Sequence, residues 1–452
     1  MQPMGTHHNR EVSSRYRNYV LGMLTLVYVF NFVDRQLLVI LQESIKKELR
    51  LSDTQLGLLS GFTFAIFYVT MGIPIARLAD KGNRRNIVTA SLGLWSLMTA
   101  FSGMARNFIQ LLLARIGVGV GEAGGSPPAH AMLSDYFPAS KRSTALSIYS
   151  TGIYFGILIG FLMGGYLNQR LGWRVAFFAV GIPGIVFGLL FYTTVREPRR
   201  GATDVGEVQA VRAGGVRTAA DEAPSFGKVL TVLYSSKTFV FLALATGLHV
   251  FCIYGLLNWA PSFLARIHGM KNSQIGALLG PIFGIGGAVG SFAGGFLTDH
   301  YGRRDRRLYL KIPAYAILLS IVFAAGALFL SNTILSIVCL GCCASLHSMY
   351  LGPSVAVAHS LVPASMRALT SAVLFLVLNL IGLGFGPLVV GIISDRLAPA
   401  LGVESLRWGM SIIIPMSVVS MTLFFKTASY LDAPPSMVRQ MPLTNEASSD
   451  AR

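Results

Sequence analysis

The chain has 452 residues, of which 53% are apolar and only 13% are charged. No soluble core needs so large an apolar fraction, so the composition excludes an ordinary soluble protein and predicts one that crosses a membrane many times. The net charge of +17 would suit a nucleic-acid-binding protein, but the basic residues stand in the segments between apolar runs. We therefore expect the lipid bilayer as a partner, and no nucleic acid.

Twelve apolar runs of roughly 20 residues are long enough to cross about 30 Å of hydrocarbon. An isolated strand would leave backbone groups unpaired in lipid, so each run is predicted to be a helix. The fold class is therefore an all-α membrane protein with twelve transmembrane helices. The runs are 18–41, 54–78, 87–105, 108–134, 144–167, 175–195, 238–264, 274–298, 308–330, 333–359, 368–394 and 408–430.

The polar segments divide the chain. Residues 1–17 contain no apolar run that ends in a cleavage site, so we expect the first helix to be retained. Residues 196–237, rich in Gly, Ala, Arg and Glu, are predicted to be a linker between the bundles 18–195 and 238–430, with a short surface helix from Phe226 to Leu233. A tail, 431–452, ends the chain.

The basic residues indicate on which side the loops lie. Most of the 37 Lys and Arg fall in 1–17, in the linker, in the tail and in the loops on the same side of the membrane as these. By the positive-inside rule, we predict a multi-pass protein of the cell (inner) membrane with both termini in the cytoplasm.

A charged loop pattern occurs twice, each time where an apolar run ends. Asp80-Lys81-Gly82-Asn83-Arg84-Arg85 follows the second run, and Asp299-His300-Tyr301-Gly302-Arg303-Arg304 follows the eighth. The copies occupy matching places in two six-span halves, which indicates an internal duplication. Duplicated halves of this kind are typical of transporters.

The chain carries little that suggests catalysis. Its four cysteines lie within predicted spans, and the cluster Cys339-x-x-Cys342-Cys343 has no second pair to complete a metal site. There is no Ser/His/Asp order, nucleotide loop or zinc-protease motif. We expect no metal, no cofactor and no enzyme, and therefore no direct use of ATP. A membrane sensor that does not transport is the alternative from another class.

Glycine recurs at every fourth residue of the fifth predicted helix, from Gly152 to Gly164, and a looser set lies between Gly382 and Gly391 in the eleventh. Such stripes let a neighbouring backbone approach closely. Static packing and a seam along which the two halves rock are both open interpretations.

Four ionisable residues fall at membrane depth, where each costs about 3 kcal/mol or more. Asp34 and Arg35 belong to the first helix, and Arg115 and Glu122 share one face of the fourth. At 1.5 Å per residue, Asp34 and Glu122 lie roughly 18 and 21 Å below the outer surface, and Arg115 roughly 10 Å. Asp34 and Arg35 point about 100° apart and do not pair well with each other. If the two helices face a common cavity, the four form a compact site of two acids and two bases.

Two interpretations of this cluster are open. In the first, it is a buried ion-pair network that only holds the N-terminal half together. In the second, Arg35 and Arg115 bind an anionic head group, with Glu122 beside them, and Asp34 or Glu122 exchanges protons. The second predicts that Asp34→Asn and Arg35→Ala abolish transport and leave folding intact. Loss of folded protein in both variants would favour the first.

Over its whole length the chain resembles the major facilitator superfamily. The second loop copy, from Gly295 to Arg304, carries this resemblance, while the first copy has Ala76 and Asn83 where glycines are usual. The stretches 31–35, 80–85 and 115–123 resemble the spinster-like branch. The resemblance implies two six-helix bundles, alternating access and a cavity that bears the four ionisable residues. It also implies a conformational gate, in which the loops cap or pair with the opposite half, formed by Asp80, Arg84, Arg85, Asp299, Arg303 and Arg304.

The resemblance further suggests a cargo. Spinster-like proteins of animals are associated with lysophospholipids and sphingoid phosphates, which suggests an amphipathic anion as the cargo. Because the chain has no nucleotide motif, we expect a secondary transporter driven by a gradient, with protons as the coupling ion, and we expect it to act as a monomer. Small hydrophilic organic anions or drugs are the alternative cargo, and uniport is the alternative to proton coupling. The C-terminal half has no charge at membrane depth, so polar and aromatic side chains supply its candidate substrate-binding residues. These are Tyr254, Asn258, Trp259, His347, Tyr350 and Asn379, with His249 as a further polar residue.

Overall fold

The computed structural model of the protein describes residues 13–201, 226–302 and 304–431. Nearly all of these residues are helical, and no strand occurs among them. Twelve membrane helices, numbered in chain order, form two six-helix bundles, so the predicted fold class is confirmed. The first bundle contains α1 Ser14–Leu49, α2 Asp53–Lys81, α3 Arg84–Ser102, α4 Phe108–Tyr136, α5 Ala139–Leu171 and α6 Trp173–Thr194. The second contains α7 Lys237–Ile267, α8 Asn272–Gly302, α9 Leu308–Phe329, α10 Thr333–Ser360, α11 367–401 and α12 405–430.

Length and composition alone qualify ten described stretches as membrane spans, and one of these is 64 residues long. At 1.5 Å per residue such a helix would reach roughly 96 Å, about three times the hydrocarbon thickness. It is in fact two helices, α11 and α12, because the chain turns at Gly402, where φ is +55°. The remaining membrane helix, α3, is 19 residues long. It does not qualify by composition, because Arg84, Arg85 and Asn86 at its start lower its mean hydropathy.

Several helices depart from regular α geometry within the membrane. Turns of π-helix interrupt α2, α8 and α11. The fourth helix breaks after Glu122, and the tenth passes through a 3-10 turn after His347. The π turns and the 3-10 turn were not predicted from the sequence, whereas Pro127 and Pro128 indicated a weakened helix close to the break in α4.

The breaks in α4 and α10 reveal the internal duplication at single-residue level. The segment of α4 before its break and the segment of α10 before its turn each contain 15 residues. Each begins after an asparagine cap, Asn107 in one half and Asn332 in the other. Glu122 and His347 are the last residues of these segments, so they occupy corresponding positions in the two halves.

The two halves meet near one face and separate towards the other. We call the face that carries the ends of the described chain, at Ser14 and Tyr430, the termini face, and the face that carries Arg50 the distal face. A single apolar core joins both halves on the distal side and includes Ile45 and Ile275. Nearer the termini face the core divides into two clusters, one almost entirely in the first half and one in the second. The molecule is therefore open towards the termini face.

The glycine stripe of α5 lies against α1 in the same half. A Cβ atom at Gly156 would stand 2.4 Å from the Cβ of Phe32, so only glycine permits this approach. The contact of α5 with the other half uses the neighbouring Gly165, where a Cβ atom would lie 3.0 Å from the Cα of Gly276 in α8. The stripe is thus static packing, and the seam between the halves runs beside it.

The surface helix expected at the end of the linker spans Phe226–Ser235, two residues longer than predicted. Val229 and Leu233 are fully buried against the second half, which explains why this part of the linker is helical. The remaining linker and terminal segments, 1–12, 202–225 and 432–452, lie outside the described residues. The division of the chain into these segments stays a prediction.

Candidate functional site

Two ion pairs join α1 to α4 at membrane depth. Arg35 Nε lies 2.7 Å from Glu122 Oε2, and Arg115 Nη1 lies 3.2 Å from Asp34 Oδ2. Asp34 and Arg35 are adjacent on α1 and point in different directions, so each reaches a different partner on α4. The structure thus brings together the four ionisable residues that the sequence placed at membrane depth.

The pair of Asp34 and Arg115 is sealed inside the first bundle. Asp34 is 1% exposed and Arg115 is 2% exposed. The hydroxyl of Thr99 on α3 lies 2.6 Å from Asp34 Oδ1 and gives the carboxylate a second partner. The expectation that these two residues line a cavity is therefore wrong for this conformation, because α3 covers the side of α1 to which Asp34 points.

Arg35 is the accessible member of the cluster, with 12% of its side chain exposed. Its guanidinium carbon lies 4.6 Å from the ring centre of Phe64, 5.0 Å from that of Phe32 and 5.1 Å from that of Tyr68. These cation–π contacts hold a charge where little water reaches it. Glu122, its ion-pair partner, is buried, and Oε1 of this carboxylate has no hydrogen-bond partner among the described residues.

A polar side chain of the second half also lies near this cluster. Tyr254 of α7 is partly buried and within electrostatic reach of both Arg35 and Glu122. The two halves therefore approach each other here with a charged group on one side and a phenol on the other.

Three other predicted binding residues make contacts within their own half. Asn258 is buried and donates to the carbonyl of Tyr254 in its own helix, at 2.9 Å. The indole of Trp259 is fully buried and donates to the carbonyl of Pro387 on α11, at 2.9 Å. Asn379 donates to the carbonyl of Phe375, at 2.8 Å. For Asn258 and Trp259 the expectation of a cavity-lining position is wrong, since a continuous α7 turns both side chains into the bundle.

His347 and Tyr350 of α10 are also buried, with 2% and 9% exposure. Both pack around His249 of α7, whose ring centre lies 4.7 Å from that of His347 and 4.6 Å from that of Tyr350. His347 therefore does not line a cavity in this conformation, contrary to the expectation. The three residues form a polar cluster within the second bundle.

The family to which the chain belongs follows from comparison with known proteins. The sequence model described as the Major Facilitator Superfamily matches residues 24–387. The chain belongs to this superfamily. An "MFS-type efflux pump" of Mycolicibacterium smegmatis (strain ATCC 700084 / mc(2)155) is 33% identical over 396 residues, which cover 87% of this chain and 88% of the relative. The family and these relatives indicate a membrane transporter rather than an enzyme.

Solved structures place the chain more closely within the Major Facilitator Superfamily. A bacterial homolog of the human lysosomal transporter Spinster, in an inward-facing and unoccupied conformation, has a TM-score of 0.83 and 32% identity, over 92% of this chain and 98% of that one. The predicted spinster-like relationship is confirmed. A hexuronate transporter of Bacillus subtilis (strain 168) is more distant, with 25% identity over 88% of this chain and 93% of the relative.

Among the described residues, the first copy of the loop pattern makes its polar contacts within its own half and with the start of the linker. Arg84 is ion-paired with Asp135, at 2.5 Å, and with Glu197, at 2.9 Å, both in the first half. The backbone N–H of Arg85 donates to Glu197 at 2.7 Å. Arg200, where the linker begins, donates to the backbone carbonyl of Asp80.

The second loop copy is more open. Asp299 and Arg304 are exposed, and Asp299 accepts a long hydrogen bond, 3.4 Å, from the hydroxyl of Tyr309. Arg303 lies outside the described residues. Neither Asp80 nor Asp299 pairs with the opposite half in the parts of the chain that the structure describes. The gate role of these loops stays a prediction, and it concerns a state in which the termini face is closed.

The distal face carries a cross-half network that sequence reasoning missed. Arg266 at the end of α7 lies 2.7 Å from Glu43 of α1 and 2.7 Å from Asp53 of α2. Lys46 also pairs with Asp53, and the hydroxyl of Ser394 on α11 donates to the carboxylate of Asp53 at 2.7 Å. In the sequence, Arg266 is a basic residue just after the seventh apolar run, 238–264. The sequence contained one signal for this network: residues of opposite charge stand at helix ends that are predicted to lie on the same face of the membrane.

Proposed function

We propose that this protein is a proton-coupled secondary transporter that moves an amphipathic anion by alternating access. One observation carries the proposal: at membrane depth, the accessible charge is the guanidinium of Arg35, and it stands among the aromatic rings of Phe32, Phe64 and Tyr68. A guanidinium offers forked donors to a carboxylate or phosphate and stays charged. Aromatic faces beside it suit the apolar part of the same molecule.

Glu122 supplies a route to proton coupling. An anion that binds Arg35 competes with Glu122 for the same guanidinium. A buried carboxylate that loses its counter-charge is strongly destabilised unless it takes up a proton. Binding of the anion and protonation of Glu122 therefore favour each other, which is the linkage that a symporter requires.

Asp34 is less suited to this exchange than Glu122. It keeps two partners, Arg115 and Thr99, that no substrate in the cavity reaches. We assign the pair of Asp34 and Arg115 to positioning, since it fixes α1 against α4 and so sets the place of Arg35. We therefore do not assign Arg115 a direct role in binding the substrate in this conformation.

A small hydrophilic organic anion is the second candidate cargo. It is favoured by the names of relatives, which include transporters of hexuronate, galactarate/D-glucarate, cis,cis-muconate and sulfoacetate. Several of these anions carry two acidic groups. The relative at 33% identity is an efflux pump, which keeps drugs among the alternatives.

The charge bias of the loops supports the orientation. If the protein lies in the inner membrane of a bacterial cell with its termini face in the cytoplasm, the open side of this conformation faces the cell interior. We propose that the transporter acts as a monomer.

Flux into proteoliposomes tests the proposal, with lysophosphatidylglycerol and D-galacturonate as probes, with and without a pH gradient. We expect gradient-dependent flux of the lysolipid, and a loss of about ten-fold or more in Arg35→Ala, because a charge-assisted contact contributes about 1.5–3 kcal/mol. Arg170→Ala, an exposed distal-face change, is the matched control. Unimpaired flux in Arg35→Ala would contradict the binding site. Flux of galacturonate alone would assign the transporter to organic anions.

A further inference from the structure

The second bundle contains a buried histidine pair that the proposed mechanism does not use. His249 of α7 is fully buried and His347 of α10 is 2% exposed. Their ring centres lie 4.7 Å apart and their planes make an angle of 32°. His347 stands at the position that corresponds to Glu122 in the first half, because both end the 15-residue segment that follows an asparagine cap. A titratable group thus occupies this position in each half.

The hydrogen bonds determine which nitrogens of the pair carry hydrogen. His249 Nε2 lies 2.8 Å from the carbonyl oxygen of His347, and a carbonyl only accepts, so Nε2 is the donor. The hydroxyl of Ser320 donates to the carbonyl of Ile317 at 2.7 Å, so it accepts from His347 Nε2, 3.4 Å away. In the neutral rings, both Nδ1 atoms therefore bear a lone pair.

Both Nδ1 atoms are buried, and neither has a hydrogen-bond partner among the described residues. A buried acceptor without a donor is unfavourable, and a bound proton removes this defect at one of the two atoms. The geometry therefore provides two places for a proton and leaves both empty in the neutral state.

The surroundings of the pair lack a counter-charge. The titratable group that faces it is Tyr350 of α10, with Tyr254 of α7 and Tyr154 of α5 beyond. Ser320 of α9 and Phe424 of α12 complete the contacts. In the described parts of the chain, no carboxylate, lysine or arginine is hydrogen-bonded or ion-paired to either ring. An imidazolium here needs a negative charge that the protein does not supply.

Charge balance indicates where that negative charge comes from. The two arginines and two acids at membrane depth sum to zero in the empty protein. A singly charged anion on Arg35 with one proton on Glu122 restores this balance. A doubly charged anion leaves one negative charge over, in a region where net charge is strongly disfavoured. A second proton is then required. Tyr350 packs against His249, and Tyr254 lies within electrostatic reach of both Tyr350 and Arg35.

We propose that His249 and His347 form a second proton-binding site, which is occupied when the cargo is an anion with two negative charges. One Nδ1 atom takes up a proton from the open cavity as the dianion binds, and gives it up when the dianion leaves on the other side. The proposal rests on the proposed function and extends it to the charge of the cargo and the number of protons moved.

Two matched pairs of anions test this site in proteoliposomes. D-galacturonate and galactarate differ by one carboxylate, and lysophosphatidylglycerol and lysophosphatidic acid differ by one ionisable phosphate oxygen. Protons moved per anion are measured with an entrapped pH indicator and a labelled anion. For any pair that is transported, we expect about one more proton with the doubly charged member. His249→Gln and His347→Gln should each remove this additional proton and retain flux of the singly charged member. His268→Gln, at the distal end of the same helix α7, should retain the additional proton.

Equal proton ratios for the two members of a transported pair would overturn the second site and leave the proposed function intact. So would retention of the additional proton in both glutamine variants. If those variants do not fold, ¹⁵N spectra of histidine-labelled wild-type protein decide the question. We expect two unprotonated Nδ1 atoms in the anion-free protein and a new N–H when galactarate or lysophosphatidic acid is added; unchanged spectra would overturn the site. Absence of flux for all four anions would overturn the proposed function and this site with it.

Discussion

Asp395 of α11 caps the first turn of α2 in the opposite half: its Oδ1 accepts from the backbone N–H of Asp53 at 2.9 Å. Its other carboxylate oxygen accepts from the backbone N–H of Thr54 at 2.7 Å. The N-terminal N–H groups of a helix have no partner within the helix, and a carboxylate also suits the positive end of the helix dipole. Here the partner comes from another bundle, so separation of the halves at the distal face must expose both groups.

The corresponding pair of helices in the internal duplication makes a similar capping contact, but with a neutral side chain in place of the carboxylate. Gln169 of α5 accepts from the backbone N–H of Ser273 in the first turn of α8, at 3.0 Å. α5 and α8 correspond to α11 and α2 in the duplicated halves. The distal face is therefore closed by one charged cap and one neutral cap, and Arg266 strengthens only the charged one through Asp53.

Removal of the charged cap should favour the state that is open at the distal face. Loss of a helix cap costs about 1 kcal/mol, so Asp395→Ala should change the ratio of the two states roughly five-fold. Distances between spin labels at the distal ends of α6 and α12 measure this ratio. Glu48→Ala is the control, since Glu48 pairs with Arg174 inside the first half. An equal response in both variants would contradict the cross-half role of Asp395.

A charge added to the neutral cap should have the opposite effect. Gln169→Glu keeps the acceptor near Ser273 and places a negative charge at the N-terminus of α8, which favours the contact by about 0.5 kcal/mol. The same spin labels should report a larger population that is closed at the distal face. The effect should weaken at high salt, because Gln169 is exposed. A population shifted towards the distal-open state would count against the capping geometry.

Arg266→Met should disturb the distal face more than either cap. Breaking a buried ion pair from one side costs about 3–5 kcal/mol, because it leaves the other charge unpaired. We expect the lower end of this range, since Asp53 keeps Lys46 and Ser394. Thermal unfolding and spin-label distances measure the loss.

A neutral replacement of the whole contact provides the matched control for Arg266. Combining Arg266→Met with Glu43→Gln and Asp53→Asn removes the stranded charges, so most of the lost stability should return. If the combined variant is less stable than Arg266→Met alone, the carboxylates gain more from their remaining partners, Lys46 and Ser394, than their charges cost to bury.

The sequence predicted what depends on pattern along the chain. Long apolar runs fix the number of spans, and the angular separation of Asp34 and Arg35 on a helix correctly indicated that they do not pair. The sequence did not predict features that depend on contacts between helices. Nothing in the chain order shows that α3 covers Asp34, or that α7 turns Trp259 into the bundle.

The distal network was missed for a related reason. Glu43, Asp53 and Arg266 are unremarkable as single charged residues near helix ends, and only the meeting of the two halves joins them. The equivalence of Glu122 and His347 was also hidden, because it rests on where α4 and α10 break. Gly124, Gly125, Pro127 and Pro128 mark the region of the break in α4, but they do not show that the helix segment ends at Glu122.

The two ion pairs between α1 and α4 should respond differently to mutation. Asp34→Asn leaves the guanidinium of Arg115 buried beside a neutral amide, and arginine cannot relieve this by losing its proton. We expect a loss of about 3–5 kcal/mol in stability. Arg35→Ala instead leaves Glu122 without its partner, and a carboxylate becomes neutral by binding a proton. The loss of stability should therefore be small, while transport falls by about ten-fold or more.

We therefore expect Asp34→Asn to lose stability, whereas the sequence alone predicts that both variants keep their fold. Thermal unfolding in detergent and anion counterflow in proteoliposomes separate the two effects. Thr99→Val serves as the matched control for Asp34, because it removes one hydrogen bond to the carboxylate and keeps its ion pair with Arg115. Thr99→Val should lower the free energy of unfolding by about 1 kcal/mol. Equal destabilisation by Asp34→Asn and Arg35→Ala would mean that both pairs are structural, and Arg35 would then lose its assignment as the anion-binding residue.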